Sequence, residues 1–169
     1  MIVISDTTPI ISLMKADRLE LLQRLYQRVV IPKAVYAELV SNTDFEEEKE
    51  KVANCDFISV EQIQNQESVK ILRDNTGLDL GESEALVLYE EKNADLLLMD
   101  EHKGRSVAKK MEVEHIGTVG ILLMAFDEKY LLAEEVRDIL KIMLEKDIRL
   151  SHNLCKKVLD YVGLEGEDI

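Results

Sequence analysis

The hydrophobic positions of the chain fall into short apolar runs that alternate with longer amphipathic segments. The first run, MIVIS at 1–5, is rich in β-branched residues and ends in a polar cluster, so it predicts a buried strand. Further strands are predicted at about 28–31, 57–60, 96–99 and 113–116. Since helical patterns separate these strands, the sequence predicts an α/β fold with a parallel sheet covered by helices on both faces.

Apolar residues at spacings of three and four predict the helices between the strands. Pro9 lies early in the first helix, and Asp17 is expected to cap the second. Pro32 is expected to open a third helix over about 33–42. The other predicted helices cover about 62–74, 81–93, 103–111, 120–128, 132–146 and 151–162.

The composition is that of one soluble globular domain. The chain has 169 residues, of which 46% are hydrophobic and 33% are charged. It has no apolar run of the roughly 20 residues that span a bilayer, and its start does not resemble a signal peptide. We therefore expect a cytoplasmic protein in which Cys55 and Cys155 are reduced thiols.

The net charge of −13 is unusual for a protein that binds nucleic acid. Part of it comes from the stretch at 44–51, which is expected to be solvated, and from the acidic tail EGEDI, which is expected to fray. The charge argues against tight, metal-free binding of polyanions. It is compatible with a site made of carboxylates that requires cations.

Two aspartates stand directly after predicted strands. Ligands of parallel sheets bind outside the carboxyl ends of the strands, so Asp6 and Asp100 are expected to face the same crevice. Each also has an ordinary structural interpretation. Asp6 is suited to cap the first helix, and Asp100 to start a turn.

Three glutamates are further candidates. Glu38 borders the apolar face of its helix near the C-terminal end, where the helix dipole disfavours an anion. Glu82 and Glu84 lie in the first turn of the next long helix, where acids are favourable for structural reasons alone. Two residues apart on a helix, they point to different sides, and the pattern does not choose between them.

Other motifs are weaker. The chain has neither a GxGxxG nor a Walker A sequence, and its three histidines show no metal-binding spacing. The segment HKGRSVAKK after Asp100 is basic, with Lys103 and Arg105 nearest to it. It is suited either to a solvated helix face or to contacts with phosphate groups beside a metal site.

The order of these segments resembles the PIN-domain nucleases, a family that includes the VapC-type toxins, and more narrowly a prokaryotic PIN-like branch. The resemblance covers about residues 1–125, and about 126–165 are expected to form a helical C-terminal extension of the same domain. The matching segments are ISDTTPIISL, ADRLELL, VVIPKAVYAEL, LDLGESEAL, LLLMDEHKGR and GTVGILL.

The resemblance implies a three-layer α/β/α sandwich and a Mg²⁺- or Mn²⁺-dependent endoribonuclease that leaves 5′-phosphate and 3′-hydroxyl ends. Its acidic metal ligands correspond here to Asp6, Glu38, Glu82 and Asp100, with Glu82 favoured over Glu84 because it lies 18 positions before Asp100. It also implies a water-holding hydroxyl at Thr7 or Thr8. The sequence departs from the family in having Glu at 82 where many members have Asp, and Glu101 as the next acid after Asp100.

The family further implies an RNA substrate, a homodimer and, for a toxin, an antitoxin partner. An alternative is a PIN-like module that binds RNA or protein without cleaving it, which the acidic charge favours. A phosphotransferase with Asp6 as nucleophile would require a second Asp two residues later, and Thr8 stands there.

Overall fold

A parallel five-stranded sheet forms the centre of the molecule. The computed structural model describes residues 1–41, 46–167 and 169, and for 46–49 it describes the backbone alone. The strand order is β3-β2-β1-β4-β5, and every pairing is parallel. The strands are β1 (Val3–Ser5), β2 (Val29–Pro32), β3 (Ile58–Glu61), β4 (Leu96–Leu98) and β5 (His115–Ile116).

Helices connect consecutive strands and cover the sheet, as the alternation of patterns predicts. The described helices are α1 (Thr7–Lys15), α2 (Glu20–Tyr26), α3 (Lys33–Ser41), α4 (Glu46–Ala53), α5 (Gln66–Thr76), α6 (Leu80–Lys92), α7 (His102–Lys110), α8 (Thr118–Asp127), α9 (Ala133–Glu145) and α10 (His152–Val162). The predicted α/β class with a parallel sheet and helices on both faces is confirmed.

Side chains of alternate residues in the buried strands point to opposite faces of the sheet. On β1, Val3 packs into a cluster with α1, α2 and α8, whereas Ile4 packs into a second cluster with α6. Helices α9 and α10 add Ile139 and Val158 to the first cluster. The C-terminal helices therefore share a hydrophobic core with the start of the chain.

Some predicted boundaries were wrong. Helix α2 begins at Glu20 with Leu19 at its N-cap, and Asp17 instead adopts a positive φ of 53° in the preceding turn. Helix α5 begins four residues later than expected, because the Asn65 side chain caps it by accepting the Ser68 N–H. The solvated stretch expected at 44–51 lies partly outside the described residues, as does position 168 of the expected frayed tail.

Candidate metal centre

The sheet places the two strand-end aspartates on neighbouring strands. Strand β1 pairs with β4 so that Ser5 lies opposite Leu98, and the Asp6 N–H extends the pairing with a 2.9 Å bond to the Leu98 carbonyl. Asp6 and Asp100 therefore both lie at the carboxyl edge of the sheet, as expected, and the strands that they follow are adjacent. Asp6 is 3% exposed, and Asp100 is half-buried.

Asp6 occupies the N-cap position of α1, but its side chain makes no capping hydrogen bond. Asp6 therefore has the backbone position of a helix cap, but its carboxylate does not cap the helix. Burial disfavours the charged form of this carboxyl group, and a hydrogen bond with the Thr7 backbone offsets that effect only in part.

Glu38 reaches the same edge from α3, where two neighbouring elements fix it. The Thr7 hydroxyl donates a 2.6 Å bond to Glu38 Oε2, and the Gly81 backbone hydrogen-bonds to the same carboxylate. A Cβ on Gly81 would lie 2.6 Å from Glu38 Oε1. A side chain at position 81 would therefore displace the Glu38 carboxylate from this position.

The structure separates the two glutamates that the sequence left unresolved. Glu84 Oε2 accepts the Ala34 N–H at 3.0 Å, so this buried carboxylate holds the start of α3. Glu82 forms a capping box with Asp79: Glu82 N–H donates to Asp79 Oδ1 at 2.8 Å, and Asp79 N–H donates to Glu82 Oε2 at 3.0 Å. The charge of Glu82 adds to the raised pKa of Asp6, whereas the charge of Glu84 adds to the raised pKa of Glu38.

The electrostatics of this group are those of crowded carboxylates. Burial raises the pKa of Asp6 to about 7; a hydrogen bond with the Thr7 backbone opposes the shift, and the charges of Asp79, Glu82 and Glu38 add to it. Burial also raises the pKa of Glu38 and of Glu82, and in both the charge of Asp79 adds to the increase. We call Asp6, Glu38, Asp79 and Glu82 the acidic cluster.

The sequence reasoning missed Asp79, although its charge helps to raise the pKa of all three of the other acids. It is exposed at the N-cap of α6. The pattern Asp79-x-x-Glu82 is typical of a helix capping box. The sequence therefore indicated a structural role for Asp79 and gave no sign of its electrostatic role in the acidic cluster.

Asp100 is held differently from the acidic cluster. The Thr118 N–H donates to Asp100 Oδ1 at 2.7 Å, and the Thr118 hydroxyl donates to Asp100 Oδ2 at 2.5 Å. Asp100 lines a cavity of about 630 Å³, together with Thr8, Glu101 and Arg105. The two consecutive threonines therefore have different contacts: Thr7 hydrogen-bonds to Glu38, and Thr8 lines this cavity.

Lys103 is the remaining predicted site residue. Its ammonium group donates a 2.5 Å bond to the Gly77 carbonyl, and its charge lowers the pKa of Glu82. It serves as a counter-charge beside the acidic cluster. Arg105, on the same helix, is exposed.

The oxygen donors of this edge have the chemistry that Mg²⁺ or Mn²⁺ requires. A divalent cation would also relieve the repulsion among the acids, which adds to the effect of burial on the pKa of Asp6. Within the described residues, however, no three His, Cys, Asp or Glu side chains are gathered closely enough to hold a metal ion. The donor set therefore fits the cation by chemistry and charge, and the side chains would have to draw together around it.

Comparison with known proteins relates the chain to a family and to a solved structure. A family model described as a PIN domain matches residues 2–164. A solved structure, a toxin–antitoxin complex from Klebsiella pneumoniae, is 18% identical and covers 60% of this chain and 88% of that chain, with a TM-score of 0.48. No curated protein matches the chain.

Proposed function

Because the chain belongs to the PIN-domain family, we propose that it is a metal-dependent endoribonuclease whose acidic residues hold Mg²⁺ or Mn²⁺. The observation that carries the proposal is the state of Asp6. This carboxyl group is 3% exposed; burial raises its pKa, and the charges of three neighbouring acids add a smaller increase. Such crowding costs stability in the metal-free protein, and a bound cation would offset that cost.

Asp6, Glu38, Glu82 and Asp100 are the residues that we propose as cation ligands. When bound, the cation would supply an activated water and would neutralise charge on the phosphate. Carboxylate ligands are commonly oriented by further hydrogen bonds, and Thr7 and Thr118 provide such bonds to Glu38 and Asp100. Asp79 lies close enough to add its charge to the site.

Arg105 is the proposed contact to the substrate phosphate. It lies on the wall of the cavity that Asp100 also lines, and its planar guanidinium is suited to bidentate contacts with phosphate oxygens. Lys103 is less suited to this role, because its ammonium group is bonded to the Gly77 carbonyl beside Glu82. We propose that Lys103 limits the repulsion among the acids.

Cleavage of mixed RNA by purified protein with Mn²⁺ or Mg²⁺ tests the proposal. Wild-type protein is expected to cleave, Asp6→Asn is expected to be inactive, and both are expected to be inactive in EDTA. Asp160→Asn is the matched control, because Asp160 is an exposed aspartate on α10 outside the acidic cluster. Equal inactivity of wild type and Asp6→Asn would instead support the alternative of a non-catalytic binding module.

The partner proposals rest on the family. A homodimer predicts twice the 19.3 kDa chain mass in light scattering, and a monomeric mass would contradict it. An antitoxin partner, if the protein is a toxin, should cover the acidic cluster and block cleavage. Among the described helices, none has the length and apolar character needed to cross a membrane. Cys55 and Cys155 are free thiols, and on that ground we propose a cytoplasmic location.

A further inference from the structure

The cavity next to the acidic cluster has walls from two distant parts of the chain. Its volume is about 630 Å³, which is in the range of small-molecule sites. One wall consists of the carboxyl ends of β4 and β5 with the first turns of α1. The other wall is the linker between α9 and α10, which contributes residues 147–150. The C-terminal helices therefore complete a site at the functional edge of the sheet.

Two arginines supply positive charge to this cavity, whose lining also includes Lys15 and the acids Asp100, Glu101 and Asp147. Arg105 comes from α7 and Arg149 from the α9–α10 linker, and both side chains are exposed. Neither forms an ion pair with any residue that the structure describes. Asp100, the acid nearest to the sheet, already accepts two bonds from Thr118. The guanidinium groups are therefore available to an anionic ligand.

The same cavity has an aliphatic wall. Ile11, Ile116, Ile148 and Leu150 line it, and each is only half-buried by the protein. Half-buried aliphatic side chains next to arginines suit a ligand with one flat apolar part and one anionic part. A nucleotide has this combination: its base packs on apolar surface or stacks on a guanidinium plane, and its phosphate binds arginine.

The position of the cavity relates it to the proposed cleavage site. Thr7 faces Glu38 of the acidic cluster, and Thr8, the next residue, lines the cavity. Strands β1 and β4, which end in the two regions, are paired neighbours, so they lie about 4.8 Å apart. A chain of nucleotides with one phosphate at the acidic cluster would place a neighbouring nucleotide at the cavity.

We propose that this cavity binds one nucleotide of the RNA substrate, with the base against the aliphatic wall and the phosphate on Arg149. This inference rests on the proposed ribonuclease function. It assigns Arg149 and the α9–α10 linker to substrate binding and gives the C-terminal helices a part in the choice of cleavage position.

Binding of nucleoside 5′-monophosphates to the full chain in EDTA tests the ligand chemistry without requiring catalysis. Calorimetric titration with AMP, GMP, CMP and UMP is expected to show saturable binding of at least one of them. Arg149→Gln is expected to weaken that binding about tenfold or more, since a charge-assisted hydrogen bond is lost. Arg73→Gln, at an exposed arginine of α5 outside the cavity, should bind like wild type. Absence of saturable binding, or equal binding by Arg149→Gln, would overturn the proposal.

Cleavage of a short oligoribonucleotide with Mn²⁺ distinguishes RNA from a free nucleotide as the ligand. Arg149→Gln is expected to raise KM about tenfold with little change in kcat, because the cavity binds substrate away from the reacting phosphate. An unchanged KM beside weakened mononucleotide binding would show that the cavity takes a free nucleotide, which overturns its assignment to RNA. Mononucleotide binding that depends on Arg149 in a protein that cleaves no RNA would refute the ribonuclease function and leave a nucleotide site.

Discussion

Thr118 holds both oxygens of the Asp100 carboxylate, one through its backbone N–H at 2.7 Å and the other through its hydroxyl at 2.5 Å. Thr7 holds Glu38 in a similar way, with a hydroxyl bond of 2.6 Å. In both pairs, a buried threonine at the start of a helix orients an acid that comes from another element. Such bonds restrict each carboxylate to fewer conformations before a cation binds, so less conformational entropy is lost on binding.

Removal of the Thr118 hydroxyl should weaken cation binding. Thr118→Val keeps the shape of the side chain and the backbone N–H, but it leaves Asp100 with one bond instead of two. We expect Mn²⁺ affinity to fall roughly 10- to 100-fold and the free energy of unfolding to fall by about 1–2 kcal/mol. Calorimetric titration with Mn²⁺ and urea unfolding measure the two effects. Thr118→Ser restores the hydroxyl and should recover most of the affinity; a Thr118→Val protein that binds Mn²⁺ like wild type would refute the orienting role.

Gly81→Ala should disturb the acidic cluster while leaving the fold intact. The added Cβ would lie 2.6 Å from Glu38 Oε1, so the carboxylate has to move away from α6. Cation binding and RNA cleavage should both fall, whereas helix content by circular dichroism should not. Gly120→Ala is the matched control for cation binding, because the three atoms nearest to its added Cβ all belong to the Ile116 side chain, the closest at 3.2 Å. Equal cation affinities of the two variants would contradict this prediction.

Substitution of Glu82 should mainly affect cation binding, and substitution of Glu84 should mainly affect stability. Glu84→Ala leaves the buried N–H of Ala34 without its partner, so the free energy of unfolding should fall by about 1–3 kcal/mol. Glu82→Gln should lower Mn²⁺ affinity strongly and stability only slightly, since its capping box keeps a polar side chain. Parallel urea unfolding and Mn²⁺ titration of the two variants make the comparison. A larger loss of Mn²⁺ affinity in a folded Glu84→Ala protein would assign the site to Glu84 instead.

The elements of the fold were largely predictable because the strands are short apolar runs and the helices have clear amphipathic periods. The strand ends also predicted that Asp6 and Asp100 would face one crevice at the carboxyl edge of the sheet, and the structure places both at that edge, after the paired strands β1 and β4. The start of α2 was not predictable from Asp17, because the turn there uses Asp17 at a positive φ instead of as a cap.

The candidate site was less predictable than the fold because its details depend on contacts between distant residues. Glu82 and Glu84 are equally acidic and occupy the same helical turn, and only the packing of α3 against α6 separates them. Asp79 was not predicted as part of the site, because its capping motif already accounts for an acid at that position. The contribution of Arg149 depends on how α9 and α10 return to the sheet edge, which no local pattern encodes.

The stability of the metal-free protein should decrease with rising pH in a way that depends on Asp6. Its pKa is about 7 in the folded protein, against an ordinary value of 3.8. Between these values the folded state binds more protons, so this contribution is complete below 3.8 and is lost as the pH rises through 7. From pH 5.5 to 8, wild type should lose about 2 kcal/mol relative to Asp6→Asn.

Urea unfolding of both proteins in EDTA at the two pH values measures this difference. Addition of Mn²⁺ at pH 8 should restore stability to wild type and have little effect on Asp6→Asn. A stability difference between the two proteins that does not change with pH would mean that Asp6 is not the crowded, buried acid described above.

Location of a bound cation tests the central claim most directly. Crystals soaked in Mn²⁺ and measured at a wavelength where manganese scatters anomalously should show a peak within about 2.5 Å of carboxylate oxygens of Asp6, with Glu38, Glu82 and Asp100 drawn toward it. The peak should be absent from crystals of Asp6→Asn. Manganese bound elsewhere on the surface, or equally in both crystals, would contradict the assignment of this acidic cluster as a metal centre.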